Sequence, residues 1–558
     1  MADLGRRARE RDTEAGLGHP AWERDTEASL GHRAWERDTE AGLGRPAWER
    51  HVEDVSGLLA GLAEGTLGEA FQRTAHLRPD AVAVQVDDDA LTHAELDERA
   101  AAVAGWLRGR LPAGARVVIA APNGIALVTA YAGVVRAGCV AVLASPALTE
   151  RELRHLVSDA GAEAAFAAGA SREALARIGH PLRTLAALDG TDFGDVLACG
   201  LTRDPEPVPS DSPALLAYTS GTTGTPKGVP LSHANLLSSI RAALAAWRWT
   251  ADDVLVHALP LTHQHGLGGV HAALLTGSRT RVLSRFDERR LIETVAEERA
   301  SVLFAVPAMY ERLAELAELT QPASLRRLRL AVCGSAPLSP ELALRVATAI
   351  GQVPLERYGT TESGLNVSNP LGGPRLPGTV GLPLPGVELR ICDVAGRDAA
   401  EGEIVLRGPQ VFTGYWNRPE ATAEAFHPGG WFRTGDLGHV DPATGHLTIS
   451  GRSKELVITG GLNVYPREVE QVLEEHPGVA EAAVAGLPSA RWGEEVTAWV
   501  VRTGHSPAVS GDALIAFART RLAPYKCPKR VLFIDALPRN AMGKIVRHEL
   551  PAPSAHDT

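Results

Sequence analysis

The 558-residue chain predicts an α/β protein: a large, layered N-terminal α/β domain with a β-rich subdomain, followed by a small α+β domain. Three observations carry this expectation. Beyond the N-terminal segment, apolar β-rich runs alternate with helix-patterned runs, as in a layered domain with largely parallel sheets. From Gly402 to Val440 the runs shorten and are broken by Gly and Pro, which suits a β-rich subdomain. Past Arg452 roughly a hundred residues remain, in a mixed α+β pattern.

The elements follow in order. Residues 10–48 are three near-copies of a thirteen-residue unit, Glu10–Trp22, Glu23–Trp35 and Glu36–Trp48. The period is too short for a helical solenoid. Each unit offers little beyond one Trp and one Leu to bury, so residues 1–50 are expected to be a disordered extension. An expanded repeat, an upstream start codon or a partner-binding tail would each account for it. Val117–Ala121 reads as a strand, Pro122-Asn-Gly124 as a break, and Ala126–Val135 as a helix. Ala162–Phe166 reads as a further short strand. Residues 203–213 are a proline-rich surface connection, and Leu215–Tyr218 is a strand leading into a glycine-rich segment. Pro466–His476 reads as a helix: Pro466 sits at its start, and Val469, Val472 and Leu473 share one face. The expected domains are residues 51–452 and 453–550, with 551–558 a disordered tail.

Composition excludes several function classes. Hydrophobic residues are 45% and charged residues 22%, ordinary for a globular protein. A net charge of −11 without a long basic run argues against nucleic acid or an anionic membrane as partner. The five cysteines are scattered and odd in number, without metal-ligand spacing, which favours a reducing, cytoplasmic setting. The polar N-terminus predicts no secretory signal. Val117–Val135 and Val254–Ser278 lack Asp, Glu, Lys and Arg, yet Pro and Gly break both, so neither is expected to span a membrane. No acidic or Cys residues cluster with the four histidines His257, His263, His265 and His271, which disfavours zinc.

The segment Tyr218-Thr219-Ser220-Gly221-Thr222-Thr223-Gly224-Thr225-Pro226-Lys227-Gly228-Val229 is the strongest chemical signal. It holds three glycines, five Ser/Thr hydroxyls and one lysine. Glycine lets backbone approach a ligand closely. Hydroxyls and exposed N–H groups can then cradle phosphate oxygens, and Lys227 adds charge. A Walker loop is excluded, because the fifth residue after Gly221 is Pro226.

This segment resembles the phosphate-binding signature of the acyl-adenylate-forming superfamily, which includes acyl-CoA synthetases and peptide-synthetase adenylation domains. The resemblance continues in order through Tyr358-Gly-Thr-Thr-Glu362, Thr434-Gly-Asp436, Gly451-Arg-Ser-Lys454 and Pro538-Arg-Asn-Ala-Met-Gly-Lys544. It implies a small, mobile C-terminal domain, a site between the domains, and ATP, Mg²⁺ and coenzyme A as cofactor and substrates. Activation of a carboxylate brings two anions together, so cations and polarised donors must neutralise the charge. By resemblance, Lys544, Glu362 and Thr223 are catalytic, with Glu362 the Mg²⁺ ligand. Thr219 to Thr225, Lys227, Tyr358, Gly359, Thr360, Thr361, Asp436 and Arg452 bind ATP, with Tyr358 stacked on adenine and Asp436 and Arg452 on the ribose. Lys454 is the hinge, Gly460 and Gly461 line the pantetheine channel, and His263 lies near the acyl site. Thr262 departs from the aromatic residue common beside that histidine.

Three segments are most similar to malonyl-CoA synthetases: Val306-Pro-Ala-Met-Tyr-Glu-Arg312, Cys333-Gly-Ser-Ala-Pro337 and Leu355-Glu-Arg-Tyr-Gly359. The resemblance implies that Arg312, Ser335 and Arg357 bind the distal carboxylate of malonate or methylmalonate. A second carboxylate in a partly dry pocket calls for bidentate cationic donors. Thr360 and Ser363-Gly364-Leu365 depart from the usual pattern. Arg312 also has a plain structural reading, pairing with Glu315 one turn on, and Arg357 can cap a strand end. The alternatives are a short- or medium-chain or aryl acyl-CoA synthetase, an acyl-AMP ligase that loads an acyl carrier protein, and a scaffold that has lost catalysis. Retention of Lys227, Glu362, Asp436 and Lys544 opposes the last. A dinucleotide oxidoreductase is opposed because Gly266-Leu-Gly268 continues to His271 where the motif needs glycine.

Deletion of residues 1–50 is expected to leave acyl-adenylate formation intact in a pyrophosphate-release assay. A large loss would contradict the reading of this segment as an extension.

Overall fold

A computed structural model describes residues 62, 64–178, 182–202, 204–219, 226–459, 462–489, 492–504, 509–540 and 543–553. The repeats of residues 10–48, the loop residues Ser220–Thr225, and Gly460 and Gly461 lie outside the described residues.

Two sheets form the large domain. One has six strands in the order Thr184–Ala187, Ala164–Ala167, Arg116–Ala120, Val140–Ala144, Pro213–Thr219, Lys227–Ser232. All neighbours in it are parallel except the last two strands, which are antiparallel. The second sheet has nine strands, and its parallel centre runs from Val82–Val86 to Leu355–Thr360. Helices connect the parallel strands, as parallel pairing requires. A strand covered on both faces must be apolar throughout, and every residue of Val140–Ala144 is buried. Glu150–Ala160 covers the sheet with Leu153, Leu156, Val157 and Ala160, and Thr149 with Glu152 closes a capping box at its start.

The expected strand near residue 117 is Arg116–Ala120, the helix after it is Ile125–Arg136, and the third expected element is the strand Ala164–Ala167. From Glu388 to Arg452 five antiparallel strands form the β-rich subdomain. A short helix, Pro419–Glu424, interrupts it, where Pro419 supplies a helix start.

The small domain packs the helices Pro466–Glu474 and Gly511–Arg519 on a mixed sheet built around Val479–Ser489 and Gly493–Arg502. Val469 and Leu473 are fully buried there, as their shared face predicts. The expected free tail is corrected at its first residue: the Trp499 indole N–H donates to the Pro551 carbonyl at 2.9 Å. Residues 554–558 lie outside the described residues. Among the described residues no helix is long and apolar enough to cross a membrane.

Three histidines are buried core residues with hydrogen-bond partners in the fold. His257 Nδ1 accepts the Leu259 amide, His271 Nε2 meets the Tyr131 hydroxyl at 2.7 Å, and His233 Nδ1 accepts the Leu67 amide that opens the helix Leu67–Leu77. Burial lowers His257 and His271 to about 3 and His233 to about 4. Each stays neutral in the fold, whereas an exposed histidine protonates near 6.5. Their contribution to stability is complete above about pH 6.5 and is lost as pH falls toward 3–4. Urea midpoints are therefore expected to drop between about pH 7.5 and pH 5; a flat profile over that range would contradict the assignment.

Candidate active site

A cleft of about 2800 Å³ separates the large domain from the small one. The strand Leu355–Thr360 is its central wall, pairing in parallel with Leu330–Cys333 and antiparallel with Gly364–Ser368. A Cβ at Gly359 would stand 2.1 Å from the Gly364 carbonyl oxygen, so only glycine allows this approach.

Tyr358 is buried, and its hydroxyl donates to Asp436 Oδ2 at 2.7 Å. Arg452 Nε meets Asp436 Oδ1 at 2.9 Å. Asp436 and Arg452 are cross-strand partners of Trp431–Val440 and Leu447–Arg452, so the hairpin register sets them side by side. The Asp436 charge raises the Arg452 guanidinium further above its ordinary value. Tyr358, expected from the sequence as an adenine-stacking ring, also fixes Asp436 through its hydroxyl.

The strands Pro213–Thr219 and Lys227–Ser232 form an antiparallel hairpin in which Thr219 faces Lys227. The glycine-rich loop thus closes a hairpin. Its stem is fastened from two sides. The Tyr218 hydroxyl donates to Asp159, which also pairs with Arg418, and the Trp416 amide donates to the Gly228 carbonyl. Lys227 Nζ lies 4.9 Å from the ring centroid of Tyr415. The Tyr415 hydroxyl donates to Glu362 Oε1 at 3.0 Å. Thr360 Oγ1 and Ser363 Oγ are 2.8 Å apart, and Gln264 donates to the Thr361 carbonyl.

Farther along the cleft, Arg357 packs over Gly334, where a Cβ would be 2.5 Å from Nε. Burial lowers its guanidinium to about 10, and among the described residues no carboxylate offsets that burial. Ser335 holds a left-handed φ of 71°. Its hydroxyl meets His265 Nδ1 at 3.1 Å. His263 caps the helix Gln264–Thr276, and burial, aided by the charges of Lys544 and Arg357, lowers it to about 4. It is a neutral ring.

Lys544 enters the cleft from the small domain. Its amide donates to Asn540 Oδ1 at 3.0 Å, and its carbonyl accepts the Asn540 amide at 2.9 Å. Burial lowers Lys544, Arg452 and Arg357 add repulsion, and Asp436 and Glu362 oppose it. The ammonium thus feels the Asp436–Arg452 pair and Arg357 together. Lys454 also lines the cleft.

Arg312 requires a correction. Tyr310 and Leu313 turn the helix Pro307–Thr320 toward the core, and Pro307, Ala308 and Glu311 face the cleft. Arg312 falls on another face, half-exposed, paired with Glu288 and 5.0 Å from the Phe286 ring centroid. It does not line the cleft, and its partner is Glu288 on the neighbouring helix Glu288–Glu297 rather than Glu315. Ser220–Thr225, including Thr223, and Gly460 and Gly461 lie outside the described residues. Sequence reasoning missed Tyr415, Asp159 and His265, which act through contacts far apart in the chain.

Residues 71–416 match the family described as AMP-binding enzyme, and residues 468–544 match the AMP-binding enzyme C-terminal domain. The chain belongs to the AMP-binding enzyme family. A feruloyl-CoA synthase of an Amycolatopsis species is 37% identical over 495 residues, 87% of this chain and 98% of that protein. A malonate–CoA ligase of Arabidopsis thaliana is 36% identical over 479 residues, 78% of each chain. The ATP-bound structure of MatB from Rhodopseudomonas palustris matches with a TM-score of 0.82 and 38% identity, over 87% of this chain and 98% of that one. Within the AMP-binding family this chain is an AMP-forming acyl-CoA synthetase that resembles the malonate–CoA ligases.

The position of Lys544 leads to a split between half-reactions. Lys544→Ala is expected to abolish pyrophosphate release and to spare thioester formation from supplied acyl-AMP. Its cation is lost as pH rises, and its lowered pKa brings that loss below the ordinary lysine range near 10.4. The alkaline limb of pyrophosphate release should therefore fall below that of a free lysine, and Lys544→Arg should move it upward.

Proposed function

We propose that this AMP-binding enzyme activates malonate or methylmalonate with ATP and transfers the acyl group to coenzyme A. In the first step a carboxylate oxygen attacks the α-phosphorus, and the bond to pyrophosphate breaks. In the second the thiol sulfur attacks the acyl carbonyl, loses its proton, and AMP leaves with its electron pair. Lys544 neutralises the approach of carboxylate to phosphate. Asp436 accepts the ribose hydroxyls beside Arg452, while Lys227 and the loop residues Thr219–Thr225 hold the phosphates. Glu362 is a hard oxygen donor facing the cleft, which fits Mg²⁺; the bound metal would neutralise phosphate charge. Lys454 serves as the hinge about which the small domain turns, bringing Gly460 and Gly461 to the pantetheine arm. The five free cysteines fit a reducing cytoplasm.

The observation that carries the substrate class is Arg357. A half-buried guanidinium with no paired carboxylate among the described residues calls for an anion from the substrate, and malonate supplies one at its distal end. Ser335 adds a hydroxyl donor. Arg312 is not assigned to this clamp.

A second reading has its own support. Leu244, Trp247, Leu267 and Phe304 also line the cleft, and an apolar or aryl acid would use them.

The test is incubation with ATP, Mg²⁺ and coenzyme A against malonate, methylmalonate, acetate, octanoate and benzoate, with thioesters identified by mass spectrometry. Malonyl-CoA with little monoacid product is expected. A monoacid product alone would favour the apolar reading, and acyl-AMP without thioester would point to a carrier protein as acceptor. Arg357→Ala should lower kcat/KM for malonate roughly 10- to 100-fold with little change in KM for ATP, since hydrogen bonds to charged groups contribute about 1.5–3 kcal/mol. Arg312→Ala should leave malonate kinetics near wild type.

A further inference from the structure

Tyr415 stands between two opposite charges of the site. Its hydroxyl donates to Glu362 Oε1 at 3.0 Å, and Lys227 Nζ lies 4.9 Å from its ring centroid. Phe412 packs edge-on against the same ring at 5.0 Å, and the Phe412 amide donates to the Glu362 carbonyl at 2.8 Å. The short segment from Phe412 to Tyr415 therefore holds both the backbone and the carboxylate of Glu362.

The same segment is anchored to the phosphate hairpin. The Tyr415 amide donates to Thr422 Oγ1 at 2.9 Å, and the Trp416 amide donates to the carbonyl of Gly228, the residue after Lys227. A tyrosine phenol ordinarily keeps its proton at neutral pH and so acts as a donor. A glutamate side chain has rotamer freedom that a metal ligand must give up, and a lysine on a four-carbon stem has more. Fixing one carboxylate oxygen leaves Oε2 as the other donor, and the negative face of the ring attracts the ammonium.

We propose that Tyr415 is the positioning residue that holds Glu362 for Mg²⁺ through its hydroxyl and Lys227 for phosphate through its ring. It makes and breaks no bond in the reaction. The inference rests on Glu362 being the metal ligand.

Tyr415→Phe removes the hydroxyl and keeps the ring, whereas Tyr415→Leu removes both. Mg²⁺ dependence is read from pyrophosphate release and, independently, from calorimetric titration of ATP at several Mg²⁺ concentrations; Glu362→Gln is the reference. Tyr415→Phe is expected to raise the Mg²⁺ concentration for half-maximal activity roughly tenfold, with KM for ATP at saturating Mg²⁺ within about twofold. Tyr415→Leu is expected to add a several-fold rise in KM for ATP that saturating Mg²⁺ does not correct. If Tyr415→Leu fails to fold, Lys227→Met in the Tyr415→Phe background supplies the ATP arm: its effect on KM should persist without the hydroxyl. A lower melting temperature with unchanged Mg²⁺ dependence in Tyr415→Phe, while Glu362→Gln shifts that dependence, would overturn the proposal. If Glu362→Gln shifts neither readout, the metal-ligand reading fails and the proposal fails with it.

Discussion

The strand Leu355–Thr360 is held parallel on one side and antiparallel on the other, and the site depends on that double pairing. The parallel neighbour Leu330–Cys333 delivers Gly334 and Ser335 from its end, so Arg357 can lie across them. The antiparallel neighbour Gly364–Ser368 brings the chain back at Gly359, so Thr360, Thr361 and Glu362 form a tight return beside the nucleotide wall. Glu356, one residue before Arg357, is buried, accepts the Leu338 amide and is pushed by burial up to about 8.

Charge is distributed with the same economy. Asp436 is tied by Tyr358 and Arg452, Glu362 by Tyr415, and Asp159 by Tyr218 and Arg418. Each of these three carboxylates is held by a phenol, and two of them also by an arginine. Phenols suit this work because burial raises them and keeps them donors at neutral pH. Lys544, by contrast, comes from another domain and feels repulsion from Arg452 and Arg357. A cation set beside two other cations is one whose repulsion an incoming anion would relieve.

Much of this was legible in the sequence, for identifiable reasons. Period-two and period-3.6 patterns located the strand at Val117, the helix that follows it and the helix at Pro466, because burial imposes those periods. The motif residues Tyr358, Glu362, Asp436, Lys227 and Lys544 all line one cleft. Arg312 did not join them: a helix turns about 100° per residue, so one position decides whether a side chain faces a cleft or a neighbouring helix. Tyr415 was not legible, because its partners are 53 residues away at Glu362 and farther still at Lys227, and no local pattern encodes such a meeting.

Gly334 gives the acyl pocket a dependence on an atom that is absent. It has no side chain to donate, charge or bury, yet the place of Arg357 exists only because nothing projects from it. A single methyl group there would force the guanidinium to shift, and the pocket would change its charge geometry without any change to a charged residue. In lineages built on this scaffold, the charge geometry of the cleft can therefore drift through a silent-looking position, while every charged residue stays the same.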